Sequence, residues 1–233
     1  MCLIIEAEIC MARISFSEHE SERRKAIVVS FDLAGFSNFC NQPDASTTAP
    51  RLMKHTFDLL NNHLHDYGSE EKLVVPSFSK FSGDGALMIW LSPELKDFPQ
   101  EFCNLLTKTM RAFQQDFSRQ ALLWEAQWRV HKLPKRMRVG IAAGVVYPVK
   151  EPYAVFEPEP YDYVGYCINL AVRLQDYCPD LGFLVHGVLY PMLDGMENYE
   201  ATNMKGAQIE PVRLFKADKD RVQSEEFNSK FRR

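Results

Sequence analysis

The fold is decided by Ser30-Phe31-Asp32-Leu33-Ala34-Gly35-Phe36-Ser37, where the apolar run Ala26-Ile27-Val28-Val29 ends at an aspartate and a glycine follows. The apolar run predicts a buried strand over 25–32, and the glycine predicts that a helix starts directly after it. The unpaired backbone amides at a helix N-terminus attract anions. A carboxylate at the strand end beside them is therefore a good place for a metal ion next to phosphate oxygens.

Asp84 lies in a second short stretch, Lys80-Phe81-Ser82-Gly83-Asp84-Gly85. This stretch predicts a hairpin with strands over 72–82 and 85–91 and a tight turn at Gly83-Asp84. At the same sheet edge, the second carboxylate would complete a site for two metal ions. Each aspartate alone also fits a helix N-cap or a turn former, but two aspartates, each with its own glycine, favour the metal interpretation.

The composition is that of an ordinary soluble globular protein, with 46% hydrophobic and 25% charged residues in a chain of 233. The net charge of −4 argues against a nucleic-acid partner. No apolar run reaches the length of a membrane span, and the apolar start Met1-Cys-Leu-Ile-Ile lacks the basic region of a signal peptide. The six cysteines follow no zinc-type spacing and indicate free thiols in a reducing cytoplasm.

The chain divides into an N-terminal arm at 1–24, one globular domain at 25–217 and a charge-rich tail at 218–233 that we expect to be mobile. Whether Met1 or Met11 is the true start is left open. Hydrophobic periodicity predicts the main elements. The predicted helices are 51–67, 97–129 and 165–177, the predicted loops are 41–50 and 150–160, and the later predicted strands are 136–149, 182–187, about 197–203 and 211–216.

This order of elements predicts an α+β fold, a ferredoxin-like (palm-type) central antiparallel sheet with flanking helices. The segment Gly140-Ile-Ala-Ala-Gly144 lacks large side chains, which indicates close approach of another backbone. Trp124 and Trp128 lie beyond the expected length of one packed helix. They mark either an insertion or interface or, as we favour, buried core.

Two polar residues of the helix after Gly165 share one face, because Asn169 and Arg173 are four residues apart. Taken alone, they fit an ordinary solvated helix surface. Asp162 alone fits a turn, and Lys80 alone fits a solvated edge strand. A phosphoryl-transfer site needs positive charge on the side away from its metals, however, and Arg173 is suited to supply it.

Together these stretches resemble the class III nucleotide cyclases. The resemblance rests on four motifs in the order of the family, and it covers about Lys25 to Phe215. The motifs are Phe31-Asp-Leu-Ala-Gly-Phe-Ser, Lys80-Phe-Ser-Gly-Asp84, Arg138-Val-Gly-Ile-Ala-Ala-Gly144, and Asp162-Tyr-Val-Gly-Tyr-Cys-Ile-Asn169-Leu-Ala-Val-Arg173-Leu-Gln. The resemblance implies a lyase that forms a cyclic nucleotide, in a head-to-tail homodimer with sites across the interface.

Carried over residue by residue, the resemblance implies that Asp32 and Asp84, with the Leu33 carbonyl, hold two Mg²⁺ or Mn²⁺ ions. It implies that Lys80 and Asp162 of the other protomer read the base, that Asn169 orients the ribose and that Arg173 stabilises the transition state. The remaining implied contacts are to phosphate, from Gly35, Phe36, Ser37 and, on a looser match, Lys205.

The sequence also departs from the family pattern. Tyr147-Pro148 stands where the family has a second glycine, the loop 150–160 is rich in proline, and residues 118–136 look like extra length. None of these differences removes a chemical group from the site.

The base is not decided by hydrogen-bond polarity, because adenine, cytosine and uracil can each meet one donor-only and one acceptor-only group. The tyrosines at 161, 163 and 166 would shorten the pocket for a one-ring base, although they also fit simple packing. The chain further resembles the stand-alone bacterial Pycsar cyclases of anti-phage defence, which make cyclic UMP or cyclic CMP. This favours UTP or CTP as substrate over ATP.

Two rival functions are considered. A diguanylate-type synthase is disfavoured because Gly85-Ala86 follow the aspartate where that family has Glu-Phe. A nucleotide-binding regulatory module without turnover would be expected to have lost a metal aspartate or the arginine, and Asp32, Asp84, Asn169 and Arg173 are all present.

Overall fold

The structure is a computed structural model, which describes residues 15–16, 23–66, 75–150, 162–177, 182–186, 196–201 and 210–215. Most of the predicted arm, the loop 151–160, Lys205 and the tail lie outside these residues. Four helices and nine strands are found in the described part of the chain. The helices are α1 Phe36–Cys40, α2 Ala45–Asp66, α3 Gln100–Trp128 and α4 Tyr166–Tyr177. The strands are β1 Ser15–Phe16, β2 Arg24–Ala34, β3 Phe78–Phe81, β4 Gly85–Leu91, β5 Arg136–Lys150, β6 Asp162–Val164, β7 Phe183–His186, β8 Met196–Ala201 and β9 Glu210–Phe215.

The strands form one sheet in the order β3-β4-β2-β5-β7-β9-β8, with β1 and β6 added along β5. The pairing of β5 with β7 is parallel, and the other described pairs are antiparallel. The predicted α+β fold with a central sheet and flanking helices is confirmed. The two strands at the centre, β2 and β5, pair from Arg24–Val146 to Ala34–Arg136.

Both faces of β2 are buried, which explains why the run Ala26–Val29 is continuously apolar rather than alternating. Ile27, Val29, Phe31 and Leu33 face a core shared with α2 and α3. Ala26 and Val28 face a second core formed with α4. Successive residues of a strand point to opposite faces, so Asp32 emerges on the side that α4 covers.

The glycines of β5 let α4 lie directly on the sheet. A Cβ atom added at Gly140 would lie 2.0 Å from the Ala171 carbonyl oxygen, and one at Gly144 would lie 3.0 Å from the Cys167 Cβ. The close backbone approach predicted from Gly140-Ile-Ala-Ala-Gly144 is therefore present. The inward positions predicted for Leu170 and Leu174 are also found.

The prediction that 41–50 is a loop is wrong for its second half, because α2 begins at Ala45 and contains Pro50. The Asp44 carbonyl accepts bonds from the Thr47 and Thr48 hydroxyls and amides, which builds the first turn. Pro50 lacks the N–H that would bond the Ser46 carbonyl. Ser46 is exposed, so water can bond that carbonyl instead and the helix continues through the proline.

Other predicted elements keep their positions with shorter or longer bounds. Asp162, which fits a turn on sequence alone, instead begins the short strand β6, opposite Val149 of β5. In the arm, Ser15 and Phe16 pair with Lys150 and Val149. Trp124 and Trp128 are half-buried and pack against the α2–α3 core, as the favoured interpretation predicts.

Candidate functional site

Asp32 and Asp84 lie at neighbouring positions because of the β2–β4 register. Asp32 pairs with Gly85, the residue directly after Asp84, and the Leu33 amide donates to the Asp84 carbonyl oxygen at 3.1 Å. The Ser82 amide donates to the Gly85 carbonyl and closes the hairpin turn. Asp32 is 7% exposed, whereas Asp84 is half-buried. Asp84 is close enough for its charge to raise the pKa of the Asp32 carboxyl.

Gly85 explains how the turn can come so close to β2. A Cβ atom at this position would lie 1.8 Å from the Phe31 carbonyl oxygen, so only glycine fits without moving backbone. Gly83 in the same turn has φ of +93°, a conformation that favours glycine. The sequence Gly83-Asp84-Gly85 thus meets two separate backbone requirements on either side of the aspartate.

The residues after Asp32 turn sharply into α1. Gly35 caps this short helix in the left-handed conformation with φ of +86° and no side-chain capping bond. The turn presents Phe36, which is half-buried, and Ser37, which is exposed. Three residues predicted to contact phosphate therefore lie at the same end of β2 as Asp32.

Arg138 completes the immediate surroundings of Asp32. It lies opposite Asp32 in the β2–β5 register, and its guanidinium pairs with the carboxylate through two hydrogen bonds. The Nε atom donates to Oδ1 at 2.7 Å, and Nη2 donates to Oδ2. The Nη1 atom lies 3.5 Å from a carboxylate oxygen of Asp176 at the end of α4.

Burial and charge act against each other in this cluster. Burial raises the pKa of the Asp32 carboxyl above its ordinary value, because the pairing with Arg138 only partly offsets the lost hydration and the charges of Asp84 and Asp176 add to the increase. The hydrogen bonds to Asp32 raise the pKa of the Arg138 guanidinium, so it stays charged. A buried carboxylate beside two others needs a cation, and Arg138 supplies one from within the chain.

Arg138 is the site residue to which the sequence assigned no role. It stands within one of the four motifs, but its partner is 106 positions away. Only the register between β2 and β5 brings the two together. The available signal is an arginine at the start of the predicted strand 136–149, but the sequence alone does not place that strand beside Asp32.

Lys80 and Asp162 are brought into direct contact within one chain. The Lys80 ammonium donates to Asp162 Oδ2, and Asp162 Oδ1 accepts the Tyr163 amide at 2.9 Å. The side chain of Lys80 is 57% exposed and that of Asp162 is 27% exposed. The sequence predicted these two residues as a pair, and the structure places a donor-only group beside an acceptor group on an accessible surface.

Asn169 and Arg173 lie on the side of α4 that faces away from the sheet. Asn169 is exposed and Arg173 is half-buried, whereas Leu170 and Leu174 are buried beneath them. In the described part of the chain, neither side chain contacts Asp32 or Asp84. The structure of one chain therefore does not unite the predicted ribose and transition-state residues with the predicted metal ligands.

The donor set at Asp32 and Asp84 fits a hard divalent cation. Two carboxylates and the nearby Leu33 carbonyl are oxygen ligands of the kind that Mg²⁺ and Mn²⁺ prefer, and such sites often take further oxygens from substrate phosphates. Among the described residues there is no cluster of three or more His, Cys, Asp or Glu side chains that could hold a metal. The remaining ligands of a metal held here would be water molecules or substrate phosphate oxygens.

A pocket of about 700 Å³ opens beside α1 instead of between the two carboxylates. It is lined on one side by Gly35, Asn38 and Gln42 of the α1 region, and on the other by the basic stretch His131–Arg136. Lys135 in this stretch is paired with Glu125 at 2.5 Å. The pocket touches the predicted phosphate-binding turn at Gly35 but not Asp32 or Asp84.

No family model matches the sequence, and no curated protein matches it either. Solved structures do match the fold. The guanylyl cyclase Cya2 is 17% identical with a TM-score of 0.59, and the match covers 83% of this chain and 91% of that one. The adenylyl cyclase CyaB from P. aeruginosa is 17% identical with a TM-score of 0.58, and the match covers 82% of this chain and 94% of that one.

A third match is a bacterial light-regulated adenylyl cyclase, 14% identical with a TM-score of 0.61, covering 90% of this chain and 56% of the longer one. The chain thus has the fold of adenylyl and guanylyl cyclase catalytic domains. No helix in the part of the chain that the structure describes is long and apolar enough to cross a membrane.

Proposed function

We propose that the chain is a nucleotide cyclase, which converts a nucleoside triphosphate into a 3′,5′-cyclic monophosphate and pyrophosphate. The observation that carries the proposal is the placement of Asp32 and Asp84 on adjoining strands beside the Gly35 turn. The cyclase fold and the contact between Lys80 and Asp162 support it. In the reaction, the ribose O3′–Pα bond forms, the bond from Pα to the bridging oxygen breaks, and the 3′-hydroxyl proton passes to water.

The proposed roles divide between charge and position. Two Mg²⁺ or Mn²⁺ ions, when bound by Asp32, Asp84 and the Leu33 carbonyl, would lower the pKa of the 3′-hydroxyl and neutralise the leaving pyrophosphate. The amides at Gly35, Phe36 and Ser37 bind the phosphate tail, as anions bind at helix N-termini. Arg173 meets the negative charge that grows in the transition state, and Asn169 orients the ribose. Lys205 remains proposed as a further phosphate ligand.

We propose that two copies of the chain form each site. Asn169 and Arg173 lie on the side of α4 that faces away from the sheet carrying Asp32, and we therefore assign them to the site of a second chain. Large apolar side chains are exposed on the elements that carry the proposed partner half of the site. They are Phe81 on β3, Val164 on β6, and Tyr166 and Val172 on α4, with exposures of 39% to 59%. Burial of this surface in a homodimer would stabilise the assembly.

Lys80 and Asp162 are proposed to read the base, with the lysine donating and the aspartate accepting. Their contact forms a ready donor–acceptor pair that a base edge would replace or bridge. We favour UTP or CTP over ATP, and we extend the proposal to a second messenger of anti-phage defence on the resemblance to Pycsar cyclases. The ring of Tyr163 packs edge-on against Phe78 at 5.3 Å, so this tyrosine also has a packing role.

The proposal is tested by incubating the purified protein separately with ATP, GTP, UTP and CTP in the presence of Mn²⁺. We expect mass spectrometry to find a cyclic nucleotide and pyrophosphate, with UTP or CTP converted fastest. Asp84→Asn should reduce turnover at least about a hundredfold, because a lost charge-stabilising contact costs that much in comparable sites. Asp58→Asn is the matched control, since Asp58 forms only a surface ion pair with Lys54 on α2.

Two results would contradict parts of the proposal. Folded protein that binds nucleotide but forms no cyclic product from any of the four would favour the regulatory module without turnover. Faster formation of cyclic AMP than of either pyrimidine product would overturn the pyrimidine preference and leave the cyclase activity in place.

A further inference from the structure

We infer that Arg138 is an internal competitor of the divalent cation at Asp32, and that Asp176 receives its guanidinium when the cation binds. Arg138 bonds both oxygens of the carboxylate that is proposed to bind metal. The inference rests on the metal role proposed for Asp32, and it adds a residue that sets the affinity of the site.

The geometry places the guanidinium where it opposes a second cation. A guanidinium that bonds Oδ1 and Oδ2 together uses one lone pair on each oxygen and puts a positive charge against the carboxylate, and that charge repels a metal ion at the remaining lone pairs. Asp32 is too buried for water to share these oxygens freely. A cation therefore binds Asp32 more tightly when the guanidinium moves away and at least one of the two hydrogen bonds from Arg138 breaks.

Arg138 has a second acceptor within reach. Its Nη1 atom is already 3.5 Å from Asp176, on the opposite side of the guanidinium from Asp32. The Asp176 side chain is 62% exposed and that of Arg138 is 22% exposed. A small side-chain rotation would shorten the contact with Asp176 while the contact with Asp32 opens, so the guanidinium keeps a partner in both states.

The pairing also explains how the chain tolerates several acidic side chains at this site. Asp84 and Asp176 each lie near enough for their charges to act on Asp32, which is buried. Removal of a partner from a buried charge is strongly destabilising. Arg138 thus holds the site folded and charged until a cation takes over that role.

The test is direct Mn²⁺ binding to the protein at pH 8 in the absence of nucleotide. The electron paramagnetic resonance signal of free Mn²⁺ measures the binding, so the result does not depend on catalytic activity. For Arg138→Gln we expect a dissociation constant at least about tenfold lower than for the unmodified chain, because two charge-assisted hydrogen bonds no longer oppose the cation. Arg138→Lys keeps the charge but loses the bidentate geometry, so its dissociation constant for Mn²⁺ should lie between those of the unmodified chain and Arg138→Gln.

Arg136→Gln is the matched control. Arg136 lies two residues away on the same face of β5 and pairs in register with Ala34, so this variant should leave the Mn²⁺ affinity unchanged.

Thermal unfolding supplies an independent readout. Without metal, Arg138→Gln should melt at a lower temperature than the unmodified chain, because Asp32 loses its partner. Saturating Mn²⁺ should raise the melting temperature of the variant by more than that of the unmodified chain, since tighter binding stabilises the folded state further.

Asp176→Asn tests the second half of the inference. It should weaken Mn²⁺ binding several-fold in the unmodified chain and much less in the Arg138→Gln background, because only a displaced guanidinium needs the acceptor. Equal effects in both backgrounds would overturn the role of Asp176.

If folded Arg138→Gln bound Mn²⁺ with the same or a lower affinity than the unmodified chain, the competition would be overturned. The proposed metal site would still stand if Asp32→Asn and Asp84→Asn each weakened Mn²⁺ binding. If neither the unmodified chain nor the variant bound Mn²⁺, the inference and the metal role of Asp32 would fail together.

Discussion

Burial decides which thiols of this chain can react, and Cys167 is the clearest case. It lies on the face of α4 that packs against Gly144 of β5, and burial raises the pKa of its thiol to about 11. Cys103 is also buried, whereas Cys40 at the end of α1 is exposed. These three cysteines are free thiols, as the sequence predicts.

Iodoacetamide at pH 8 should therefore alkylate Cys40 and leave Cys103 and Cys167 unmodified in the folded protein. Only about one part in a thousand of a thiol with a pKa of 11 is thiolate at this pH, and only the thiolate reacts. Peptide mapping by mass spectrometry measures the modification, and urea should expose all three residues as a control. Alkylation of Cys167 at the rate of Cys40 without urea would contradict the packing of α4 on the sheet.

At the scale of single residues, the sequence predicted the position of a side chain where the neighbouring residues determine it. Asp32 follows an apolar run and precedes a glycine turn, and Asp84 stands between two glycines of a hairpin, so both positions follow from nearby residues. Arg138 could not be assigned in this way, because its meeting with Asp32 depends on strand register. The roles of Lys80, Asp162, Asn169, Arg173 and Lys205 stay predictions.

At the scale of elements, the hairpin between β3 and β4 sets the distance between Asp84 and Asp32. Gly85 has no room for a Cβ atom, since the nearest obstacle is backbone of β2 rather than a flexible side chain. Gly83 has open space around its Cβ position but a left-handed backbone. Glycine is therefore required at position 85 by close packing against β2 and at position 83 by its left-handed backbone conformation.

Gly85→Ala should destabilise the chain by about 3 kcal/mol or more, because the β2–β4 pairing must shift to admit the methyl group. Gly83→Ala should cost only about 1–2 kcal/mol, the penalty for a left-handed alanine. Urea unfolding measures both changes through the transition midpoint. Equal costs for the two variants would show that the hairpin lies farther from β2 than the structure has it.

The end of α3 is joined to the start of β5 by Glu125. This carboxylate accepts the Leu133 amide at 3.1 Å and pairs with Lys135 at 2.5 Å. The hydrogen bond from Lys135 lowers the pKa of Glu125 below its ordinary value, and the Leu133 amide lowers it further.

Because the folded-state pKa is lowered, the stability from Glu125 is present above the unfolded-state value, 4.5, and is lost as pH falls through the folded-state pKa. Glu125→Gln should thus destabilise the chain at pH 7, by about 1 kcal/mol, and the difference should narrow below pH 4.5. Unfolding in urea at several pH values measures this difference. A gap between the two proteins that widens in acid would contradict the assignment.

Helices and strands with a long hydrophobic periodicity were predicted at their observed positions. Element boundaries were predicted poorly where a single residue gave a misleading signal. The stripe of apolar residues in α2 predicted a helix, but Pro50 moved its predicted start six residues too late, from Ala45 to Arg51. The strand β6 is three residues long, too short for alternation to be visible in the sequence. It is defined by its pairing with β5, from Tyr147–Val164 to Val149–Asp162.

At the scale of the whole molecule, one chain holds two halves of the proposed site on different surfaces. Asp32, Asp84 and Arg138 lie at one end of the central strands, whereas Asn169 and Arg173 face outward from α4. The residues of each half lie in short motifs that the sequence reveals. The surface that would join two copies is built from separate elements, β3, β6 and α4, and no single motif predicts it. The exposed apolar side chains on β3, β6 and α4 form the surface that we propose joins the two copies.

If the halves come from different chains, variants defective in opposite halves should complement each other. Asp84→Asn and Arg173→Ala should each be nearly inactive alone. In an equal mixture with free subunit exchange, half of the dimers are heterodimers and one of their two sites is intact, so about a quarter of the normal activity should return. The control mixture joins Asp84→Asn with Asp32→Asn, in which every site lacks a metal ligand and no activity can return. Mass spectrometry of isotopically labelled subunits measures subunit exchange. If subunits exchanged in the mixture of Asp84→Asn and Arg173→Ala but no activity returned, all of the catalytic groups would belong to a single chain.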